Sequence, residues 1–181
     1  DKDPIDLGKR SDWIAEWKWD GIRGQIIKRA KKLFIWSRGE ENLTERFPEL
    51  ETLVEFIPDG CVLDGEIVAW NGEQPLNFNI LQKRIGRKKI SKSLMEAAPV
   101  IFIAYDILEV EGVDIRNQNL ELRRSKLAKL INLIPDKLPI KLSAEIESKT
   151  WTDLTRMRET SRSQKAEGIM LKNKDSKYYI G

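Results

Sequence analysis

The sequence predicts an α+β fold, two layered antiparallel β-sheets flanked by helices. Three observations carry that expectation. Short segments of alternating apolar and polar residues recur from one end of the chain to the other. An Asp-Gly pair at 20–21 follows the first of them, as in a hairpin turn. Helical periodicities lie interspersed among the strands rather than gathered in one block. With 181 residues, 40% of them hydrophobic, the chain is long enough to bury one substantial core.

Taken in order, residues 13–19 alternate. Trp13, Ala15, Trp17 and Trp19 fall on one face of a strand, and Ile14, Glu16, Lys18 and Asp20 on the other. The tryptophans are expected to anchor that strand in the core, with Ile22–Lys28 returning beside it as the second arm of a hairpin. "LFIWS" (33–37) makes a third strand. "FPELETLVEFI" has helical spacing at Phe47, Leu50, Val54 and Ile57, with Pro48 suited to a first turn. "CVLDGEIVAW" (61–70) and the strongly apolar "PVIFIAYDIL" (99–108) are strands. "NLELRRSKLAKLINLI" (119–134) is an amphipathic helix with Leu120, Leu127, Leu130, Ile131 and Ile134 on one side. "IKLSAEIE" (140–147) is a strand, "TWTDLTRMRETSRS" a helix and "EGIMLK" (167–172) a last strand.

Composition narrows the chemistry. No apolar run is long enough for a membrane span, and no secretory signal opens the chain. The one cysteine, Cys61, allows no internal disulfide, which fits a reducing cytosol, and it reads as a small buried residue. A net charge of +3 permits nucleic-acid binding without arguing for it. The chain has no histidine, so a histidine general base or triad is excluded, as are most zinc sites. Lysine, arginine, carboxylates, hydroxyls or a hard metal ion must carry any reaction.

The stretch "AEWKWDGIRGQ" (15–25) sets one lysine between two tryptophans. Period-two geometry puts Lys18 with Glu16 and Asp20, away from the indoles. A structural ion pair is one explanation. The other is a nucleophilic amine. That requires a neutral lysine, which at its ordinary pKa near 10.4 is about one in a few thousand at pH 7. A dry pocket, nearby arginines or a metal ion could lower the pKa, whereas Asp20 opposes the shift unless it binds a cation or orients the amine.

"EWKWDGIRG" resembles the Lys-x-Asp-Gly-x-Arg attachment motif of the covalent nucleotidyltransferase superfamily, which holds ATP-dependent DNA ligases, RNA ligases and mRNA capping enzymes. Four more segments follow in that family's order: "SRGEE" (37–41), "LDGEIV" (63–68), "AYDIL" (104–108) and "EGIMLK". "WSRGEE", "ERFPEL" and "EGIMLK" resemble the bacterial branch of the ATP-dependent DNA ligases. The resemblance implies a nucleotidyltransferase (ATP-grasp-like) fold and an adenylation domain over 1–181. It implies that Lys18 attacks the α-phosphorus of ATP to form lysyl-AMP, with Asp20 as a second catalytic residue. The AMP then passes to a 5′-phosphate in nicked double-stranded DNA, and the nick is sealed. An RNA ligase, a GTP-using capping enzyme and a non-catalytic remnant that only binds nucleic acid are the rival readings.

By the same resemblance Glu16 reads the adenine amino group and Tyr105 stacks on the base, with an ordinary core aromatic as the alternative. Arg23 and Arg38 meet phosphate and sugar oxygens, the alternative being surface salt bridges. Glu66 takes the ribose or Mg²⁺, with Asp64 on the same face, or is simply a strand-end carboxylate. Glu167 helps bind metal or AMP, Met170 packs on the base and Lys172 meets phosphate. Strict alternation sets Glu167 opposite Met170 and Lys172, unless a bulge at Gly168 reconciles them. The basic run "KRIGRKKISK" holds six basic residues in ten. Its Lys83, Arg84, Arg87, Lys88 and Lys89 are candidates for sequence-blind contacts to DNA phosphates, or a solvated loop. The family continues beyond "EGIMLK" with a lysine-bearing strand and an oligonucleotide-binding barrel. A monomeric, cytoplasmic adenylation domain, excised from a longer parent, is therefore expected.

Overall fold

The computed structural model describes residues 4–87 and 89–179. Two antiparallel sheets with helices around them make up the fold, as the alternation of strand and helix patterns predicts. The small sheet pairs β1 (Trp13–Trp19) with β8 (Ala166–Asn173). In the larger one, β2 (Ile22–Arg29) lies between β3 (Lys32–Ser37) and β4 (Val62–Ala69). β5 (Val100–Val110) follows β4, and the short β6 (Val113–Asp114) closes that edge. β7 (Ile140–Leu142) pairs with β5 in parallel. Among the described residues no helix is long and apolar enough to cross a membrane.

The Asp-Gly pair at 20–21 does not turn a hairpin. It carries the chain from the small sheet into the large one, so β1 and β2 never pair. Gly21 passes so close to β4 that a Cβ there would lie 2.4 Å from the Ile67 carbonyl oxygen and 2.8 Å from Glu66 Cγ. The hairpin joins β2 to β3 instead. Ala30 and Lys31 at its tip both have positive φ, and Asp59 accepts the Lys31 N–H at 3.0 Å. Sequence patterning missed this turn because Ala-Lys carries none of the usual glycine or asparagine signal.

The 48–57 segment is helical but wound as a 3-10 helix over Pro48–Glu55, burying Leu50 and Leu53. α3 (Leu120–Ile131) and α4 (Trp151–Glu159) start at side-chain caps, Asn119 accepting from Leu122 N and Thr150 from Asp153 N. Two short helices, α1 (Phe78–Ile85) and α2 (Lys92–Ala97), were not foreseen. The strand expected over 140–147 shrinks to three residues, after which Glu145 bridges to Glu16.

The main core fills the space between the large sheet and its helices, with Ile26, Phe47, Leu63, Phe102 and Leu127 all buried. Cys61 is buried there too. The β1 tryptophans are not in it; they are half-buried and serve two satellite clusters. Trp17 packs with Ala15, Ile146 and Leu154, while Trp19 meets the edge of Trp70 at 6.0 Å between centroids.

One expected surface residue is also internal. Arg84, a candidate for DNA contact, is wholly buried in α1. Its guanidinium pairs with Glu49, donates to the Ala98 and Arg46 carbonyls and lies over the Phe47 ring. It faces inward because it is one helical turn beyond Leu81 on the apolar side of α1, so it cannot reach a duplex. Lys83, Arg87 and Lys89 are exposed, and Lys88 lies outside the described residues. Arg84→Ala should lower unfolding free energy in urea by about 3–5 kcal/mol, since it strands Glu49 and two carbonyls. A change within about 0.5 kcal/mol would show the pair to be dispensable.

Candidate active site

The site grows from β1 and β8. Their register runs Glu16 opposite Met170 and Lys18 opposite Gly168, then skips, so that Trp19 faces Ala166. Glu167 is the unpaired residue of that bulge. The extra residue turns its side chain across the strand, and its carboxylate forms an ion pair with Lys18 Nζ. The bulge thus brings Glu167 to the lysine and leaves Met170 and Lys172 in regular alternation.

Lys18 and Glu167 are both well exposed at the rim of the strand pair. Glu167 raises the Lys18 pKa, by hydrogen bonding first and by charge second, and Glu66 and Asp20 add to the effect. The amine is therefore held as an ammonium, the opposite of the lowered pKa that a resting nucleophile would need.

Two residues back along β1, Glu16 is completely buried between two cations. Oε1 accepts from Arg124 Nη1 at 2.8 Å, and Oε2 lies 2.5 Å from Lys172 Nζ. The same ammonium sits 4.0 Å from the centroid of the Tyr105 ring. Tyr105 is buried on β5, and burial raises its hydroxyl pKa well above the ordinary value.

The facing sheet supplies the rest. Asp64 and Glu66 project from β4 on the side away from the main core, because Leu63, Gly65 and Ile67 take the core side. Gly65 is obligatory there, since a Cβ would sit 2.4 Å from the Ile103 carbonyl oxygen and 2.6 Å from the Phe102 ring. Arg23 on β2 pairs with Asp64 at 2.9 Å. Asp64 also accepts from the hydroxyl of Tyr178 at 2.8 Å. Arg38 follows β3, anchored by its backbone N–H to the Arg23 carbonyl at 3.2 Å, and its exposed side chain makes no ion pair among the described residues.

Burial dominates Glu66, raising its carboxyl to about 7 against a smaller opposing pull from Arg23. Desolvation also raises Asp20, with the charge of Glu167 second. Asp20, Glu66 and Glu167 thus feel one another around a single lysine. They do not form a preassembled metal-binding cluster among the described residues. A hollow of about 780 Å³ is lined by Arg23, Arg38, Asp64 and Tyr178, and one of about 410 Å³ by Lys18, Glu167, Trp151 and Arg158. Lys18 opens on the smaller one, and Arg23 and Arg38 on the larger.

The structure therefore gathers Glu16, Tyr105, Met170 and Lys172 at a buried end, Lys18, Asp20, Glu66 and Glu167 at a rim, and Arg23 and Arg38 along one hollow. Two residues at the site had no role in the sequence reading. Arg124 is at helical spacing with the buried Leu120 and Leu127, a charged residue at the margin of an apolar stripe, which is a readable signal. Tyr178 arrives through the fold of the tail that follows β8, which no local pattern encodes.

Residues 5–181 match the family model described as ATP dependent DNA ligase domain. A probable DNA ligase of Koribacter versatilis is 31% identical over 188 residues, covering 93% of this chain and 33% of that protein. A DNA ligase of Methanobrevibacter smithii is 31% identical over 170 residues, covering 93% and 31%. The chain thus spans about a third of the length of these curated relatives. Among solved structures, a mycobacterial DNA ligase D complexed with ATP and MES superposes with a TM-score of 0.74 at 27% identity, covering 94% of this chain and 51% of that one. The Chlorella virus DNA ligase-adenylate shares the fold, with a TM-score of 0.69 at 20% identity, covering 100% and 61%.

The buried carboxyl of Glu66 gives a pH test. Its folded pKa, about 7, lies above the ordinary 4.5, so the folded state holds more protons between those values. Stability should therefore fall as pH rises from 4.5 to 7, by up to about 3 kcal/mol, and level off above. Glu66→Gln should remove that slope and be more stable than wild type at pH 8. Urea titrations from pH 4.5 to 8 without divalent ions check this; parallel profiles for the two proteins would contradict it.

Proposed function

The chain belongs to the ATP-dependent DNA ligase domain family, and on that premise we propose that it performs the nucleotidyl-transfer step of a DNA ligase, with Lys18 as the nucleophile and ATP as the donor. The observation that carries this reading is the arrangement along one strand. Glu16 is a buried acceptor beside an aromatic face, and Lys18, two residues on, reaches an open rim lined by carboxylates. A nucleotide laid along β1 would put its base at the first and its phosphates at the second.

In the first step the Lys18 nitrogen bonds to the α-phosphorus of ATP. The bond from that phosphorus to the bridging oxygen breaks, pyrophosphate leaves, and a lysyl-AMP phosphoramidate remains. The ammonium must lose its proton first, and Glu167, already in contact, is the group placed to take it. Arg23 and Arg38 are forked cations suited to sugar and phosphate oxygens. A 5′-phosphate oxygen of nicked DNA then attacks the AMP phosphorus, the P–N bond breaks and Lys18 recovers its proton. Finally the neighbouring 3′-hydroxyl attacks the 5′-phosphorus and AMP departs. Positioning and charge neutralisation dominate such transfers.

The hard oxygens of Asp20, Glu66 and Glu167 suit Mg²⁺, which commonly takes only one or two carboxylates besides substrate phosphates, so no preformed cage is required. Of these, Glu66 and Glu167 are the proposed ligands. When bound, the ion would neutralise charge on the phosphate oxygens. The exposed Lys83, Arg87 and Lys89 are suited to duplex phosphates. Further segments of the length seen in the relatives, including the expected oligonucleotide-binding barrel, would complete the ligase.

With labelled ATP and magnesium, Lys18→Ala should form no covalent adduct, and peptide mapping of the wild type should place AMP on Lys18. Labelled GTP should give little product. Arg38→Ala should lower labelling by about a hundredfold while shifting stability by less than about 0.5 kcal/mol. AMP on another lysine, or preferential labelling by GTP, would overturn the reading.

A further inference from the structure

The two oxygens of Glu16 are not equivalent. Oε1 is locked: Arg124 Nη1 donates to it at 2.8 Å and lies 3.4 Å from the Tyr105 carbonyl, while Nη2 donates to the Ser143 carbonyl at 2.7 Å. Arg124 is itself only 10% exposed, so this fork is fixed by α3, β5 and the turn after β7 together. Oε2 is different. It is buried and close to Lys172 Nζ, yet neither atom completes an aligned hydrogen bond. That ammonium rests over the Tyr105 face, where a stacked base would lie. Oε2 is thus a buried acceptor held toward the aromatic face and covered by a side chain on a flexible stem.

We infer that Arg124 is the positioning residue for base selection: it fixes one oxygen of Glu16 so that the other accepts the exocyclic amine of a 6-aminopurine stacked on Tyr105, in the place Lys172 holds before the nucleotide binds. The inference rests on the proposed ATP site and adds a residue and a division of labour to it. Two cations neutralise Glu16 in the free protein. The mobile one, Lys172, leaves as the base enters and becomes available to the phosphates. The anchored one, Arg124, stays as the counter-charge on Oε1 and leaves Oε2 as the free acceptor. A purine without the amine would leave Oε2 buried and unpaired, and a 6-oxo purine would set oxygen against oxygen. Lysine could not replace the whole fork, because one ammonium lacks the planar geometry that bridges Glu16 and Ser143.

The test compares equilibrium binding of ATP and of purine riboside triphosphate, which lacks only the 6-amino group. It uses wild type, Arg124→Met and Arg124→Lys, with urea titrations alongside. Both nucleotides meet the same folded population, so their affinity ratio is insensitive to a simple loss of folded protein. Wild type should prefer ATP by about tenfold or more, the range for a hydrogen bond to a charged group. In Arg124→Met the ratio should fall to within about threefold of unity, and Arg124→Lys should recover part of it. If Arg124→Met is too unstable to assay, Arg124→Gln is measured against the same criterion. A variant that binds both nucleotides less well but keeps the wild-type ratio would make Arg124 merely structural and overturn the inference, leaving the ATP site intact. A wild type that binds ATP without distinguishing the two would show that Glu16 does not read the amine. No ATP binding at all would remove the proposed function itself.

Discussion

A carboxylate with no solvent exposure needs counter-charges, and much of this domain is arranged around meeting that need for Glu16. An ionised carboxyl left unpaired in a protein interior is destabilising by several kcal/mol. Its partners come from α3 and β8, and the ring beneath one of them from β5. The interaction therefore ties the two-stranded sheet to the six-stranded one, beside the backbone bridge from Glu16 to Glu145 in the segment after β7. It also fixes the direction of β1: with Glu16 turned inward, Lys18 follows the strand out to the rim.

The second constraint is steric. The chain must leave one sheet and enter the other within two residues, against the backbone of β4. Gly21 permits that crossing and Gly65 lets β5 close on β4, so both glycines act through the space they leave empty. Together they set Asp20, Glu66 and Arg23 around the end of β1. The β8 bulge completes the group by turning Glu167 across the strand. Bulges commonly re-aim a side chain beside a functional site, and this one converts an alternation that would point Glu167 away into an ion pair.

The electrostatics describe a resting state. Lys18 is held protonated by Glu167, Arg23 is engaged by Asp64 and Tyr178, and Lys172 occupies the face of Tyr105. Each cation suited to a nucleotide already has an internal partner except Arg38, which extends into solvent without an ion pair among the described residues. Nucleotide binding would exchange these internal partners for external ones. Such an exchange favours ligands that supply both a base edge and phosphates, because each part releases a different cation.

The amino-acid sequence by itself determined most of the strands, the two longer helices, the five ordered motifs and the residue types at the site, but neither α1 nor α2. These are local properties, legible because alternation, helical spacing and Lys-x-Asp-Gly-x-Arg are all short-range patterns. It also placed Lys18 and Glu16 on one side of one strand. What only the tertiary structure decided are the relations between distant segments. Asp20-Gly21 had every mark of a hairpin, yet long-range pairing of β1 with β8 and of β2 with β4 made it a crossing. Arg84 belonged to a basic run, and packing of α1 against Glu49 and Phe47 turned it inward. Arg124 and Tyr178 reached the site from segments with no motif of their own. Charge and periodicity are carried by neighbours in sequence, whereas partners more than a hundred residues apart, as Glu16 and Arg124 are, meet only when the whole core has closed.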